Sequence, residues 1–180
     1  NNIKQRGTWG FSVGEGRDRI SDGITTVYFL QYQPLSVFYG NINGRENTEV
    51  LFMQIETKRL LIRDIKTSDA VPFAIMAADG TLNDWGLDKD CSNWITEWIT
   101  EAKYFALRNN PNMDYLAYTI TLKDGAAVVG SVGCSYYEDL RETGITYFVG
   151  AQYRNNGYAV EAVKAYTEYF LKYYNAKRII

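Results

Sequence analysis

Arg154, Asn155, Asn156 and Gly157 stand directly ahead of a run with helical spacing, in "GAQYRNNGYAVEAVKAYTEYF" (150–170). That combination suits an anion. A helix start exposes unpaired backbone N–H groups and carries about half a positive charge. Gly157 has no Cβ to keep a ligand off the backbone, and Arg154 adds a cation whose planar fork matches phosphate. A pyrophosphate would fit the junction. The same residues leave open a plainer reading, a solvated loop in which Gly157 only turns the chain. The sequence contains no His, which excludes Ser-His-Asp, Cys-His and His-metal mechanisms together. Acid–base work would fall to Glu, Asp, Tyr, Lys or water.

The elements that must position this junction can be read from Met53 onward. "IETKRLLIRDI" (55–65) has the length and β-branched content of a strand, and Thr67-Ser68-Asp69 supplies capping chemistry for a helix through about Ala78. Ser92 can cap a second helix, with Ile95, Trp98, Ile99, Ala102, Phe105 and Ala106 on one face, which Asn109-Asn110-Pro111 ends. "YLAYTITLK" and "AAVVGSVGCSYYED" flank Asp124-Gly125, a strong hairpin signal, and "GITYFVG" (144–150) reads as a further strand aimed at the junction. Ala159, Ala162, Val163, Tyr166, Phe170 and Tyr173 then make one helical face, and "AKRII" begins another strand. The order β-α-α-β-β-β-α-β predicts an α/β fold around a mainly antiparallel sheet with flanking helices.

Composition bounds the partners. The chain has 180 residues, 46% of them hydrophobic, with 19 Lys+Arg against 21 Asp+Glu, which fits one globular core and implies no nucleic-acid or membrane partner. Cys91 and Cys134 are too few for a disulfide framework and lack metal-site spacing, so they read as reduced, buried thiols, and no metal is expected. Residues 1–30 mix charges and glycines through every apolar run, unlike a signal peptide, and no apolar run is long enough to span a membrane. A cytoplasmic location is expected.

"YFVGAQYRNNGYAVEAV" resembles the acetyl-CoA-binding segment of the GNAT superfamily of N-acetyltransferases, in which R-x-x-G-x-A lies between a bulged strand and a helix; here these are Arg154, Gly157 and Ala159. "MQIETKRLLIRDIKTSDA" and "TLNDWGLDKD" are similar to the subgroup that acetylates ribosomal-protein N-termini, so the resemblance covers residues 53–180. It implies that the backbone of Phe148, Val149 and Gly150 pairs with the pantetheine arm of acetyl-CoA. The N–H groups around Asn155, Asn156, Gly157, Tyr158 and Ala159 would hold the pyrophosphate. Glu161 also matches the pattern, though in the first helical turn it would equally complement the helix dipole. The subgroup often has a Glu two residues before Thr146, where this chain has Gly144. Catalysis would then depend on Glu142 or Glu138 through water, on Tyr147, or on proximity alone. The backbone N–H of Val149 is the family-like donor to the developing oxyanion.

Residues 1–52 precede what looks like a natural start at Met53. "WGFSVGEGRDRISDGITTVYFLQY" alternates about Asp22-Gly23 like a β-hairpin, and it resembles the closing hairpin of the same superfamily, whereas residue 180 falls where that family still needs the end of its fifth strand, a helix and the hairpin. The expectation is a displaced tail in residues 1–35, by circular permutation or as the tail of one copy read into the head of the next, with an unrelated upstream segment as the alternative, then a linker over 36–52, and an acetyl-CoA-binding core over 53–180 that is permuted or truncated at its C-terminus. The hairpin would complete the sheet of its own chain or of a neighbour's, which is compatible with a homodimer, including a swapped one. The implied activity is transfer of an acetyl group from acetyl-CoA to an amine, a small molecule or a protein N-terminus. A non-catalytic acyl-CoA-binding module, or an inactive fragment, is the alternative.

Overall fold

The computed structural model of the chain describes residues 35–42 and 45–180. Six strands, β1 (Leu35–Ile42), β2 (Arg45–Glu56), β3 (Leu60–Asp64), β4 (Leu116–Leu122), β5 (Val128–Tyr137) and β6 (Glu142–Val149), form a sheet in chain order, each antiparallel to the next. Helices α1 (Ala70–Ala77) and α2 (Ile95–Arg108) lie between β3 and β4, and α3 (Tyr158–Tyr173) follows β6. The expected α/β arrangement with a mainly antiparallel sheet is therefore present.

The alternation of β4 sorts the core into two layers. Leu116, Tyr118 and Ile120 join Leu60, Ile62, Val132 and Cys134 beneath Ala162, Tyr166 and Phe170 of α3, while Ala117 packs with Phe73 and Met76 of α1, Ile99 and Ala102 of α2, and Phe148 of β6. Burying each large side chain of this kind contributes about 1.5–3 kcal/mol. Tyr166 is fully buried and donates its hydroxyl to the Cys134 sulfur at 3.3 Å. Burial pushes the Cys134 thiol up to about 11, so it stays protonated; both cysteines are free and buried, as their spacing suggested.

Asp69 does more than cap. It accepts the Lys66 backbone N–H at 2.8 Å, both Arg63 guanidinium nitrogens at 2.8 Å and the Thr119 hydroxyl at 2.7 Å. That set ties the start of α1 to β3 and β4 through one buried carboxylate.

Three expectations change. The run 55–65 is two strands, because Thr57 turns the chain: its N–H reaches the Leu60 carbonyl at 2.9 Å and the Leu60 N–H reaches its hydroxyl at 2.8 Å. The stretch 36–52, expected as a linker, carries β1 and most of β2, paired from Leu35↔Met53 to Ile42↔Arg45. "AKRII" makes no ladder of its own; Ile180 gives its N–H to Thr143 at 3.1 Å and accepts that of Ile145 at 2.7 Å, the parallel pattern opposite Gly144. Apart from Leu35, the hairpin expected in residues 1–35 lies outside the described residues. Among the described residues no helix is long and apolar enough to cross a membrane.

Candidate functional site

The site begins at the edge of β6 that faces away from β5, beyond the part bonded to Ile180. Ile145 directs its N–H away from β5, to Ile180, whereas Gly150 directs its own toward β5, to the Val129 carbonyl at 3.0 Å. Antiparallel alternation therefore turns the amides of Tyr147 and Val149 outward and that of Phe148 inward. Of the three residues expected to pair with a pantetheine arm, only Val149 offers its N–H at this edge, and Tyr147 joins it. Phe148 supplies a buried ring instead, edge-on to Phe73 at 5.5 Å. Gly150 makes room: a Cβ there would stand 2.8 Å from the Met76 side chain. The β5–β6 ladder runs from Gly130↔Val149 to Tyr137↔Glu142 without a register shift, so the bulge implied for this strand is not in that ladder.

The chain then makes a single 3-10 turn, Ala151–Tyr153, and enters the expected loop. Arg154 donates Nε–H to the Val149 carbonyl and an Nη2 hydrogen to the Thr81 carbonyl, both at 3.2 Å. It thus fastens the loop to the end of β6 and to the segment after α1. Asp79 lies in that segment; hydrogen bonds from the Thr81 hydroxyl and N–H hold its carboxyl below the usual range, and Arg154 adds attraction. Asn155 (φ 63°) and Gly157 (φ 75°) are both left-handed. The Asn156 amide bends back to the carbonyls of Tyr153 and Arg154, at 3.2 and 3.0 Å.

Helix α3 has no side-chain cap at Gly157, and its first intrahelical bond is Glu161 N–H to the Gly157 carbonyl at 3.1 Å. Among the described residues, the N–H groups of Tyr158, Ala159 and Val160 meet no acceptor. Along the chain, the outward amides of β6, Arg154 and the uncapped helix start follow one another within a short stretch.

A second cation, missed in the sequence, borders it. Arg59 in the β2–β3 turn donates Nη1–H to the Asn156 carbonyl at 2.8 Å and Nε–H to Glu161 at 2.7 Å, with its guanidinium 4.7 Å from the Tyr158 ring centroid. Glu161 also accepts the Thr57 hydroxyl at 2.6 Å and the Arg59 backbone N–H at 2.9 Å. Desolvation raises its pKa, but these hydrogen bonds outweigh it and leave the carboxyl below its usual value. Glu161 is thus engaged by the β2–β3 turn.

The candidate acid–base residues separate. Glu142 begins β6, seven residues and roughly 23 Å of strand from Val149. Arg178 binds it there, with Nε at 3.1 Å, and hydrogen bonding to Arg178 holds the carboxyl low. Glu138 sits in the turn closed by Arg141 N–H on its own carbonyl at 3.2 Å, also at that end. Gly144 explains its own identity, because a Cβ would lie 2.6 Å from the Tyr137 ring and 3.2 Å from the Ile180 carbonyl oxygen. Tyr147 alone stands beside Val149; it is partly exposed, and its ring meets Trp85 at 6.0 Å between centroids. Trp85 belongs to the loop after α1, within the stretch "TLNDWGLDKD" already singled out in the sequence, although no role for Trp85 itself could be read there.

Residues 59–180 match the acetyltransferase (GNAT) domain family. An uncharacterized N-acetyltransferase of Bacillus subtilis (strain 168), YnaD, is 28% identical over 131 residues, 71% of each chain. Among solved structures, a putative ribosomal-protein-serine acetyltransferase from Vibrio cholerae shares the fold with a TM-score of 0.55 at 20% identity, covering 68% of this chain and 69% of its own. The self-immunity acetyltransferase MccE, solved with acetyl-CoA and AMP, gives 0.53 at 12% identity over 65% of each chain. With a strand edge that turns its amides outward, an uncapped helix start behind Arg154 and a family match over most of its length, the chain belongs to the GNAT family of acetyltransferases.

Proposed function

We propose that the chain transfers the acetyl group of acetyl-CoA to an amine, either a protein N-terminus or a small molecule. The observation that carries this reading is the close succession along the chain of the outward β6 edge, Arg154 and the uncapped start of α3. A pantetheine arm is an extended chain bearing amides, so an open strand edge can pair with it as another strand would. A pyrophosphate suits backbone N–H groups at a helix start, and Gly157, lacking Cβ, leaves them approachable. Acetyl-CoA would supply an activated thioester, and the resemblance to the ribosomal-protein subgroup favours an N-terminal amine as acceptor.

The Val149 N–H would donate to the thioester oxygen as negative charge develops there during attack by the neutral amine. A C–N bond forms, the C–S bond breaks, and the amine's proton is lost as the thiolate gains one. Tyr147, two residues before Val149 and exposed, would relay a proton at this edge. Its neighbour Trp85 would shape the acceptor side. The buried free thiols fit a reducing, cytoplasmic setting.

The test is calorimetry with acetyl-CoA on the full chain, followed by an amine panel read by release of free thiol. Saturable binding with thiol release for at least one amine class supports the reading. Binding without thiol release for any amine would instead favour an acyl-CoA-binding module, to which Gly144 and the Arg178-bound Glu142 lend weight. Absence of binding removes both.

A further inference from the structure

We infer that Arg59, on the β2–β3 turn, is a positioning residue for the anion-binding loop, and that it works by fixing the Asn156–Gly157 peptide and by neutralising Glu161. The inference rests on the acetyl-CoA reading above and names a residue outside the loop itself.

A trans peptide points its C=O and N–H in opposite directions. Arg59 Nη1 holds the Asn156 carbonyl at 2.8 Å, so the Gly157 N–H is directed to the opposite side of the loop. Left-handed conformations at Asn155 and Gly157 make this segment one that few sequences would hold unaided. Asn156 bonds its side-chain amide inward, to Tyr153 and Arg154, and leaves its carbonyl to Arg59. The arginine is itself held in place by Glu161 at 2.7 Å and stacked on Tyr158.

The second contribution is electrostatic. A carboxylate in the first turn of α3 would repel an incoming pyrophosphate, and Glu161 is ionised, with its pKa lowered. The Arg59 fork offsets that charge from beside the first turn of α3. Its Nη2 would lie only 3.5 Å from a Cβ on Gly157, which places the guanidinium against the Gly157 backbone. Lysine could restore the charge but not the simultaneous grip on Asn156 and Glu161.

The full chain would be assayed with acetyl-CoA and with S-acetylpantetheine, which lacks the pyrophosphate, as wild type, Arg59→Ala, Arg59→Lys and Arg59→Ala/Glu161→Gln. Arg59→Ala is expected to raise KM for acetyl-CoA about tenfold, far more than it lowers kcat, and to leave KM for S-acetylpantetheine within twofold. Arg59→Lys should recover less than half of the loss on a logarithmic scale. The double variant should bind acetyl-CoA more tightly than Arg59→Ala, because the uncompensated carboxylate is gone. An unchanged acetyl-CoA KM in Arg59→Ala would overturn the inference, and so would an equal rise for both donors. If Arg59→Ala does not fold, Arg59→Lys carries the same comparison. Wild type that fails to bind acetyl-CoA defeats the functional reading; wild type that binds, with loss in Arg154→Ala but none in Arg59→Ala, defeats this inference alone.

Discussion

Arg154 and Val149 are joined by a 3.2 Å hydrogen bond from Nε–H to the strand's last carbonyl oxygen. The cation proposed for the pyrophosphate therefore also anchors Val149, the residue whose own N–H is proposed to face the reacting end. Arg154→Ala should weaken acetyl-CoA binding by about 1.5–3 kcal/mol, the range for a charge-assisted hydrogen bond. Because the Val149 carbonyl is released as well, kcat should fall along with affinity. Gly157→Val, by obstructing the backbone and straining a residue at φ 75°, should weaken binding while leaving the Val149 contact in place. Calorimetry and steady-state kinetics on both variants separate the two effects.

Glu142→Gln should lower turnover less than about tenfold, below the range usual for loss of a general base. The carboxylate is tied to Arg178 and begins the strand, far from Val149. A drop beyond about a hundredfold at unchanged acetyl-CoA affinity would make Glu142 the base.

Trp85→Ala should raise KM for the amine acceptor and leave KM for acetyl-CoA unaltered, since the ring contact of Trp85 is with Tyr147. Varying each substrate at saturating concentrations of the other is the measurement. A rise confined to acetyl-CoA would move Trp85 to the donor side.

Asp69→Asn should destabilise the fold by about 3–5 kcal/mol, because it leaves the Arg63 guanidinium without its buried partner. Desolvation raises the Asp69 pKa, but hydrogen bonds from Arg63, Lys66 and Thr119 outweigh it, so the folded value lies below 3.8. Its contribution is therefore complete above about pH 4 and is lost as pH falls through the depressed folded value. Acid unfolding curves should show a shallower acid limb for Asp69→Asn than for wild type.

Where the sequence was legible, the signals were local. Asp124-Gly125 announced the β4–β5 turn, and apolar spacing placed α3 and the end of α2 to within a residue, whereas Ser92, expected to cap α2, lies in the 3-10 turn Cys91–Asn93 and α2 starts at Ile95 without a side-chain cap. Arg154 and Gly157 sat beside the helix they serve. The Arg59–Glu161 pair was not legible, because its partners lie 102 residues apart and meet only when β2, β3 and α3 are assembled. The direction of each β6 amide likewise depends on which strand lies alongside, so Phe148 and Gly150 could not be told from Val149 in one dimension. The β1–β2 pairing had a signal that was passed over: Asn43-Gly44 stands between two strand-like runs, the same hairpin chemistry as Asp124-Gly125, but the surrounding Pro34, Gly40 and Asn41 read as a linker.

The most direct test is residue-resolved amide NMR of the full chain, with and without acetyl-CoA. The N–H groups of Tyr147, Val149 and Gly157 through Val160 should shift and exchange more slowly when acetyl-CoA is bound, while those of Phe148 and Gly150, already bonded toward β5, should keep their protection. Saturable binding that leaves Val149 and the start of α3 unperturbed would place the donor elsewhere and contradict the account.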